Sequence, residues 1–391
     1  MRVQSPDLGL SRLPAVYRPR PAAGFTPARI VLAKGSNGSP ARCRLVDAIC
    51  AAYPRAEVVE AFDTPHNRIR LRSDSPLDRH REGKQTLVLA EHHSAVRQST
   101  ENGNTCPNYW HFSPYGFCPY GCAYCYLAGT QGVWFSPTVK VFVNLPEILD
   151  QVDAIARRLG RPTAFYLGKL QDGLALDRLT GYSQEIVPFF AEHPLARLTL
   201  LTKSADVGNL LGIRHGGRTI LSWTLSPQVV VEAYEPNTPS LEERLQAMEA
   251  CAQAGYPVRA VIMPILPLPD WETIYGRFLV EVLRRVRLRG LRSHGCLDLW
   301  RSGVRSPGVR TEAGAARPRR RGPAPAGHPA AEPDGPQRSC GRSSVSGRRA
   351  MCTDRDRRRR GGVRCQALAP AGPGGRGRTG RSSGRTARTP A

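Results

Sequence analysis

Three cysteines lie close together in the stretch YWHFSPYGFCPYGCAYCYLAGT, residues 109–130, with the spacing Cys-x3-Cys-x2-Cys. They are Cys118, Cys122 and Cys125, and Pro119 and Gly121 allow the loop between them to bend. Three thiolates on such a loop can wrap one face of an iron–sulfur cubane, while the fourth iron stays open to bind a cofactor. The spacing therefore predicts a [4Fe–4S] cluster with one open iron.

A zinc site and a set of buried free thiols are the alternatives. Zinc favours a fourth Cys or His from a second ligand pair, and no such pair follows soon, although His111 and Cys106 are near in sequence. The chain has 11 Cys, and its N-terminus lacks the basic-then-apolar pattern of an export signal. We therefore expect thiols or metal ligands rather than a disulfide framework.

The sequence from Tyr109 to Leu283 alternates short apolar runs with amphipathic segments, a pattern typical of strands buried in a parallel sheet with helices between them. The predicted strands are 163–167, 198–202, 219–225 and 258–265. The predicted helices are 145–159, 182–192, 205–211, 240–254 and 271–283. Ser240 and Glu243 form a capping-box pattern at the start of one of them. This alternation predicts a barrel or half-barrel.

A shorter α/β pattern precedes this region. Its predicted elements are a strand at 28–33, a helix at 43–53, a strand at 57–61, a loop at 62–83 and an apolar run at 86–90. Residues 1–25 show no periodicity and are interpreted as a disordered tail.

The positive charge of the chain is concentrated after residue 283. Residues 284–391 contain 27 Arg, no Lys and six acidic residues, a net charge of +21, whereas residues 1–283 carry only +3. This segment is either an Arg/Gly/Pro-rich disordered tail that binds nucleic acid or an out-of-frame translation of a GC-rich gene. The second interpretation is favoured because the pattern is lost inside an apparent helix rather than at a domain edge.

The cysteine motif, with Tyr124 before its last cysteine, resembles the radical S-adenosylmethionine superfamily. The resemblance implies that the amino and carboxylate groups of S-adenosylmethionine chelate the fourth iron of the cluster. Reductive cleavage then yields a 5′-deoxyadenosyl radical that abstracts hydrogen, and the protein supplies position and exclusion of water. It also implies a low-potential electron donor such as a flavodoxin or a ferredoxin.

Further motifs resemble spore photoproduct lyase and its relatives over residues 25–283. They are Cys125-Tyr-Leu127, Val141-Phe-Val-Asn-Leu145, Glu235-Pro-Asn-Thr238 and Ala254-Gly-Tyr256. That family repairs a UV-induced thymine dimer of spore DNA. The implied fold class is α/β, with a partial parallel (β/α)6-type radical S-adenosylmethionine barrel at 106–283, a small α/β lead-in at 26–105 and a disordered basic tail at 284–391.

Several residues match functional positions of the family. Lys203 matches a lysine that contacts the carboxylate of S-adenosylmethionine. Tyr124, in the cysteine motif, is also expected to belong to the cofactor-binding site. Thr224 and Ser226 end a predicted strand, where we expect groups that face the cofactor ribose. Tyr126 matches a tyrosine proposed to relay hydrogen to the product radical. Without a functional role, Lys203 would be a solvated lysine at a strand end, Thr224 and Ser226 would form a turn, and Tyr126 would be a core aromatic.

The chain also departs from the family pattern. Lys169 occupies the position where the lyases carry a hydrogen-donating cysteine, and an amine cannot donate a sulfhydryl hydrogen. Cys106 and Cys251 are the candidates to replace it, although Cys251 is expected in the core. Gln171 and Asp172 remain at the carboxyl end of a strand, where barrel enzymes place working groups, with a polar loop as the alternative.

A second departure is that nothing after residue 283 resembles the family's sixth strand, so we expect an incomplete barrel. The leading hypothesis is a lyase-like radical enzyme, acting on damaged DNA or on another substrate. The alternatives are a nucleic-acid-binding iron–sulfur protein that uses its tail and an inactive relative. No apolar run reaches the roughly 20 residues that span a bilayer, so we expect no membrane partner and a cytoplasmic location.

Overall fold

The computed structural model describes residues 17–99, 109–129, 136–168, 171–286 and 290–293, the last four as backbone. The strands are β1 (Arg29–Ala33), β2 (Glu57–Ala61), β3 (Thr86–Ala90), β4 (Val96–Gln98), β5 (Trp110–Phe112), β6 (Tyr115–Gly116), β7 (Val139–Phe142), β8 (Thr163–Leu167), β9 (Ala196–Thr202), β10 (Thr219–Leu225), β11 (Val258–Ile262) and β12 (Gly290–Ser293). The helices are α1 (Pro40–Ala52), α2 (Pro76–Lys84), α3 (Leu145–Leu159), α4 (Asp177–Thr180), α5 (Ser183–Glu192), α6 (Gln228–Tyr234), α7 (Leu241–Gln253) and α8 (Trp271–Arg285), and a 3-10 turn spans Tyr126–Gly129.

The larger sheet has the order β12-β11-β10-β9-β8-β5-β4. In this sheet β12, β11, β10, β9, β8 and β5 pair in parallel, each with the next, and β4 is antiparallel at the edge. Parallel neighbours require crossover connections, which the amphipathic helices provide. The carboxyl ends of the parallel strands therefore lie along one edge of the sheet. This arrangement confirms the predicted α/β class and the partial parallel barrel.

The smaller sheet has the order β2-β1-β3-β7-β6, and it extends the predicted lead-in. Every residue of β3 is buried, which explains its continuous apolar run. The strand β6 pairs antiparallel with β7, so the chain passes from β5 in the larger sheet to β6 in the smaller one. The three cysteines follow immediately after this passage.

Two predictions of local structure were wrong. The segment 62–83 is not a loop throughout, because α2 begins at Pro76 after the N-cap Ser75, whose hydroxyl accepts from the Asp78 N–H at 3.1 Å. The segment 205–211 forms turns instead of a helix. There Ser204 competes for the backbone by accepting from the Asp206 N–H at 3.1 Å, and Gly208 disfavours a helix.

The end of the barrel also differs from expectation. The last helix continues past residue 283 to Arg285, and β12 pairs in parallel with β11 as a sixth parallel strand. Its sequence has no apolar run, so the prediction missed a strand that is defined by backbone pairing. The rest of the basic segment, 294–391, and residues 1–16 lie outside the described residues.

Buried apolar side chains from both sheets belong to one hydrophobic core, with Val88 and Val141 from the smaller sheet and Phe165, Leu200 and Trp223 from the larger. This shared core fixes the two sheets relative to each other. In the part of the chain that the structure describes, no helix is long and apolar enough to cross a membrane.

Candidate iron–sulfur and cofactor site

The three cysteines lie on one loop between β6 and the 3-10 turn. None of them is in a disulfide, and each is partly buried. The loop turns back on itself, because the Cys125 N–H donates to the Cys122 carbonyl at 3.1 Å and the Ala128 N–H donates to the Cys125 carbonyl at 3.2 Å. The three cysteines therefore lie on one short, folded loop, and their binding of a cluster stays a prediction.

Two backbone hydrogen bonds tie this cysteine loop, residues 117–125, to the segment after α6. The Gly121 N–H donates to the Pro236 carbonyl at 3.0 Å, and the Ala123 N–H donates to the Tyr234 carbonyl at 2.8 Å. These loop N–H groups would otherwise be satisfied only by water, and the carbonyls of Tyr234 and Pro236 give them fixed partners.

A buried carboxylate lies in the middle of this contact. The Glu235 side chain accepts hydrogen bonds from the Tyr124 hydroxyl of the cysteine loop and, at 2.9 Å, from the Ser226 hydroxyl. It also forms an ion pair with Arg244 at 2.5 Å, and both charged side chains are fully buried. One carboxylate thereby joins the cysteine loop, the end of β10 and α7.

Arg244 is saturated by further acceptors. Its guanidinium donates to the Thr224 carbonyl at 3.1 Å, the Pro239 carbonyl at 2.9 Å and the Thr238 hydroxyl at 2.7 Å. These bonds satisfy the rigid fork of N–H groups that arginine presents. Together with Glu235 they make a closed polar network.

The electrostatic balance at Glu235 favours the charged form. Burial alone would raise the pKa of its carboxyl group, but the positive charges of Lys203 and Arg244 and the hydrogen bonds from Tyr124 and Arg244 hold it below the ordinary value of 4.5. Glu235 is therefore a carboxylate at neutral pH.

Lys203 follows β9 directly and lies beside the cysteine loop. Its ammonium nitrogen is 5.6 Å from the centre of the Tyr124 ring, and its charge acts on both Glu235 and Cys122. The Lys203 N–H donates to Asp172 at 2.6 Å, and the Thr202 hydroxyl donates to the same carboxylate at 2.6 Å.

Asp172 also accepts from the N–H groups of Leu174 and Ala175, each at 2.9 Å. With the two bonds from the end of β9, this carboxylate joins the ends of two neighbouring strands. Gly168 permits the close approach, because a side chain there would meet the Leu201 carbonyl at 2.3 Å and its φ is +106°.

Gln171 is buried at the same end of β8, and among the described residues neither its amide oxygen nor its amide nitrogen has a hydrogen-bond partner. A buried amide without partners costs free energy, so such a group is expected where a ligand supplies the partners. Lys169, beside it in sequence, lies outside the described residues, as does Cys106.

The remaining predicted residues divide into buried and exposed groups. Thr224 and Ser226 are buried at the end of β10, and the Ser226 hydroxyl is engaged by Glu235. Tyr126 begins the 3-10 turn with 36% of its surface exposed. Cys251 is buried in α7, where burial raises the pKa of its thiol to about 12, as expected for a core residue.

Two basic residues of the site escaped the sequence analysis. Arg244 falls on the buried face of α7 between Leu241 and Met248, and a charge at an apolar position was a usable signal. Lys84 ends α2, a helix that was not predicted, and its ammonium donates to the carbonyls of Cys118 and, at 2.6 Å, Tyr120.

The donor set fits an iron–sulfur cluster. Burial is the main cause that raises the pKa of the Cys118 thiol well above its ordinary range and that of Cys122 to about 11, so these two side chains favour the neutral thiol without a metal. Among the described residues no three metal-ligating side chains converge closely enough to bind a single ion. A cubane instead takes each thiolate on a separate iron and supplies the positive charge that deprotonation requires.

Comparisons with known proteins agree in pointing to one family. A family model described as spore photoproduct lyase matches residues 41–292. The chain is 31% identical over 223 residues to a spore photoproduct lyase of Bacillus subtilis (strain 168), a match that covers 56% of this chain and 63% of that protein. It is similarly 31% identical over 226 residues to a spore photoproduct lyase of Geobacillus sp. (strain Y412MC61), covering 57% of this chain and 64% of the relative. The chain thus spans less than two thirds of the length of these relatives.

Solved structures show the same similarity. A spore photoproduct lyase complexed with dinucleoside spore photoproduct superposes with a TM-score of 0.61 at 26% identity, covering 69% of this chain and 78% of that one. A double variant of a spore photoproduct lyase with bound AdoMet and dinucleoside spore photoproduct also gives a TM-score of 0.61 at 26% identity, with the same two coverages.

Replacing Arg244 by Met is expected to lower the free energy of unfolding by about 3–5 kcal/mol, because Glu235 would stay buried without its cation. Urea denaturation followed by circular dichroism measures the change. The exposed Arg277 on α8 is the matched control, and Arg277→Met should change stability by less than about 0.5 kcal/mol. Equal losses in the two variants would contradict the role given to the ion pair.

Acid sensitivity tests the charge of Glu235. Because its folded pKa is lowered, the carboxylate contributes stability above the unfolded pKa, and this contribution is lost as pH falls through the folded value. Between about pH 5 and pH 3 the wild-type protein should therefore lose more stability than Glu235→Gln. Tm values across this range provide the measurement. Glu232→Gln, at an exposed position, should keep the wild-type pH profile, and a Glu235→Gln profile parallel to wild type would refute the assignment.

Proposed function

The chain belongs to the spore photoproduct lyase family, and we propose that it is a radical enzyme that uses a [4Fe–4S] cluster and S-adenosylmethionine. The observation that carries this proposal is the loop with Cys118, Cys122 and Cys125, which the Glu235–Arg244 network fixes beside Lys203. A loop held from both sheets presents its ligands in one arrangement, which a site-differentiated cluster requires.

In this proposal Cys118, Cys122 and Cys125 bind three irons. When bound, the cluster and S-adenosylmethionine supply one-electron cleavage that yields a 5′-deoxyadenosyl radical for hydrogen abstraction. Tyr124 serves indirectly, because its hydroxyl is committed to Glu235 and so fixes the loop between two of the ligands.

The carboxyl edge of the larger sheet binds the organic cofactor. Lys203 provides a cation for its carboxylate, and the Asp172 carboxylate fixes the backbone from which Lys203 extends. The partnerless Gln171 amide offers a donor and an acceptor. Thr224 and Ser226 end the neighbouring strand, where Ser226 acts through Glu235 and Thr224 would face the ribose of the bound cofactor.

The proposed substrate is a DNA photolesion of the thymine-dimer class. Solved relatives hold dinucleoside spore photoproduct, and the partly exposed Tyr126 follows the last cysteine directly, where it can relay a hydrogen to a substrate beside the cluster. Lys169 replaces the thiol donor of the lyases, so Cys106 remains the candidate thiol. A low-potential flavodoxin or ferredoxin would supply the electron.

The cofactor assignment is tested by anaerobic reconstitution. The wild-type chain should bind about four iron and four sulfide and form 5′-deoxyadenosine from S-adenosylmethionine with dithionite. The variant with Cys118, Cys122 and Cys125 all replaced by Ala should lose both. Cys50→Ser, which removes a free thiol from α1, should retain both. Folded wild-type protein that shows neither property would refute the proposal.

The substrate is tested with dinucleoside spore photoproduct and the reconstituted enzyme. We expect conversion of the photoproduct to thymidine, measured by chromatography. Tyr126→Phe should lower the yield of repaired product per 5′-deoxyadenosine formed, because the hydrogen relay is removed. Tyr166→Phe, on β8, is the matched control and should leave this ratio unchanged. Formation of 5′-deoxyadenosine without any repair would instead assign the enzyme to a substrate other than this photoproduct.

A further inference from the structure

Lys84 lies at the end of α2, beside the cysteine loop. Its ammonium group donates to the carbonyl oxygens of Cys118 and Tyr120 and lies 3.7 Å from the centre of the Phe117 ring. Within the described ranges it has no ion pair with Asp or Glu. A partly buried ammonium in contact only with neutral groups is costly unless a nearby anion balances it.

Among the described residues, the negative charge that acts on Lys84 comes from the cysteine loop itself. The thiolate forms of Cys118, Cys125 and Cys122 all attract the Lys84 ammonium. A [4Fe–4S]2+ core with three thiolates carries a net charge of about −1, which becomes about −2 on reduction, since the core gains one electron. The charge that Lys84 lacks is therefore the charge that the cluster brings.

Lys84 also stabilises backbone that cannot stabilise itself. Phe117 has φ of +52°, a left-handed conformation that costs a bulky residue on the order of 1 kcal/mol. Pro119 has no N–H to donate, so the loop around it lacks a regular hydrogen-bond pattern. The ammonium group spans Pro119 by binding the carbonyls on both sides of it.

The helix α2 fixes Lys84 in this position. Gly83 packs so tightly that a side chain there would meet the Pro137 carbonyl at 2.0 Å. The end of α2 therefore lies directly against the segment that leads into β7 of the smaller sheet. The Phe117 ring contacts both Lys84 and His80 of α2, and the centres of the Phe117 and His80 rings are 5.6 Å apart. Lys84 thus approaches the loop on a rigid helix, whereas Lys203 comes from β9 and acts on Cys122.

We propose that Lys84 is a positioning residue for the cluster, which fixes the cysteine loop and raises the cluster's reduction potential by stabilising the more negative reduced state. This inference rests on the proposed function, because it requires the cluster. It assigns to the smaller sheet a part in electron transfer, since α2 supplies the charge. Removing that charge disfavours reduction and shifts the midpoint potential to lower values.

Three substitutions separate the two effects in the full-length chain. Lys84→Met removes donor and charge, Lys84→Gln keeps a donor without charge, and Lys84→Arg keeps both. Lys34→Met, at an exposed lysine after β1, is the matched control. The potential of the reconstituted cluster is measured by redox titration followed by electron paramagnetic resonance, and loop order in the metal-free chain by hydrogen exchange of residues 117–125.

We expect a lower potential in Lys84→Met and Lys84→Gln, a wild-type potential in Lys84→Arg and Lys34→Met, and faster loop exchange in Lys84→Met than in wild type. If Lys84→Met binds no iron, the Lys84→Gln potential decides. Wild-type potentials and exchange in all four variants would overturn this inference alone. A wild-type chain that binds no cluster would overturn the proposed function, and the inference with it.

Discussion

The buried ion pair between Glu235 and Arg244 is the interaction on which the geometry of the site depends. A carboxylate without water must be saturated by donors, and Glu235 takes its donors from three separate parts of the chain: Tyr124, Ser226 and Arg244. Each bond is directional, so satisfying the charge also sets where the cysteine loop lies relative to the ends of the parallel strands. Apolar residues of the same volume would fill the space but would not fix the loop in one register.

The site is assembled from both sheets. The chain crosses from β5 to β6 just before the cysteines, so the loop has the smaller sheet on one side and the carboxyl edge of the larger sheet on the other. Lys84 contacts it from α2, and Lys203 acts on it from β9. The smaller sheet is therefore part of the candidate site, because α2 contributes Lys84, whose ammonium group binds the loop backbone and adds a positive charge to that of Lys203.

The features that could be predicted from the sequence are those that depend on neighbouring residues along the chain. The strands β3, β8 and β10 fall on segments rich in apolar residues, the capping box at Ser240 is formed as expected, and the three cysteines lie on one loop. The features that escaped prediction depend on distant contacts. Lys84 meets a loop more than thirty residues away, and β12 is defined only by its pairing with β11. Neither the contact of Lys84 nor the pairing of β12 produces a periodic pattern of apolar residues in the sequence.

Charge limits how the proposed enzyme can recognise DNA. Residues 1–283 carry a net charge of only +3, against +21 in residues 284–391, so this part of the chain by itself attracts a polyanion weakly at long range. The lysines of the site are also committed, since Lys84 binds the cysteine loop and Lys203 lies beside Tyr124 and Glu235. Discrimination of a lesion must then come from short-range contacts near the carboxyl edge, where Gln171 has unused hydrogen-bonding capacity and Tyr126 is exposed. Such a site reads the linked thymines themselves, because contacts with bases carry specificity and contacts with phosphates do not.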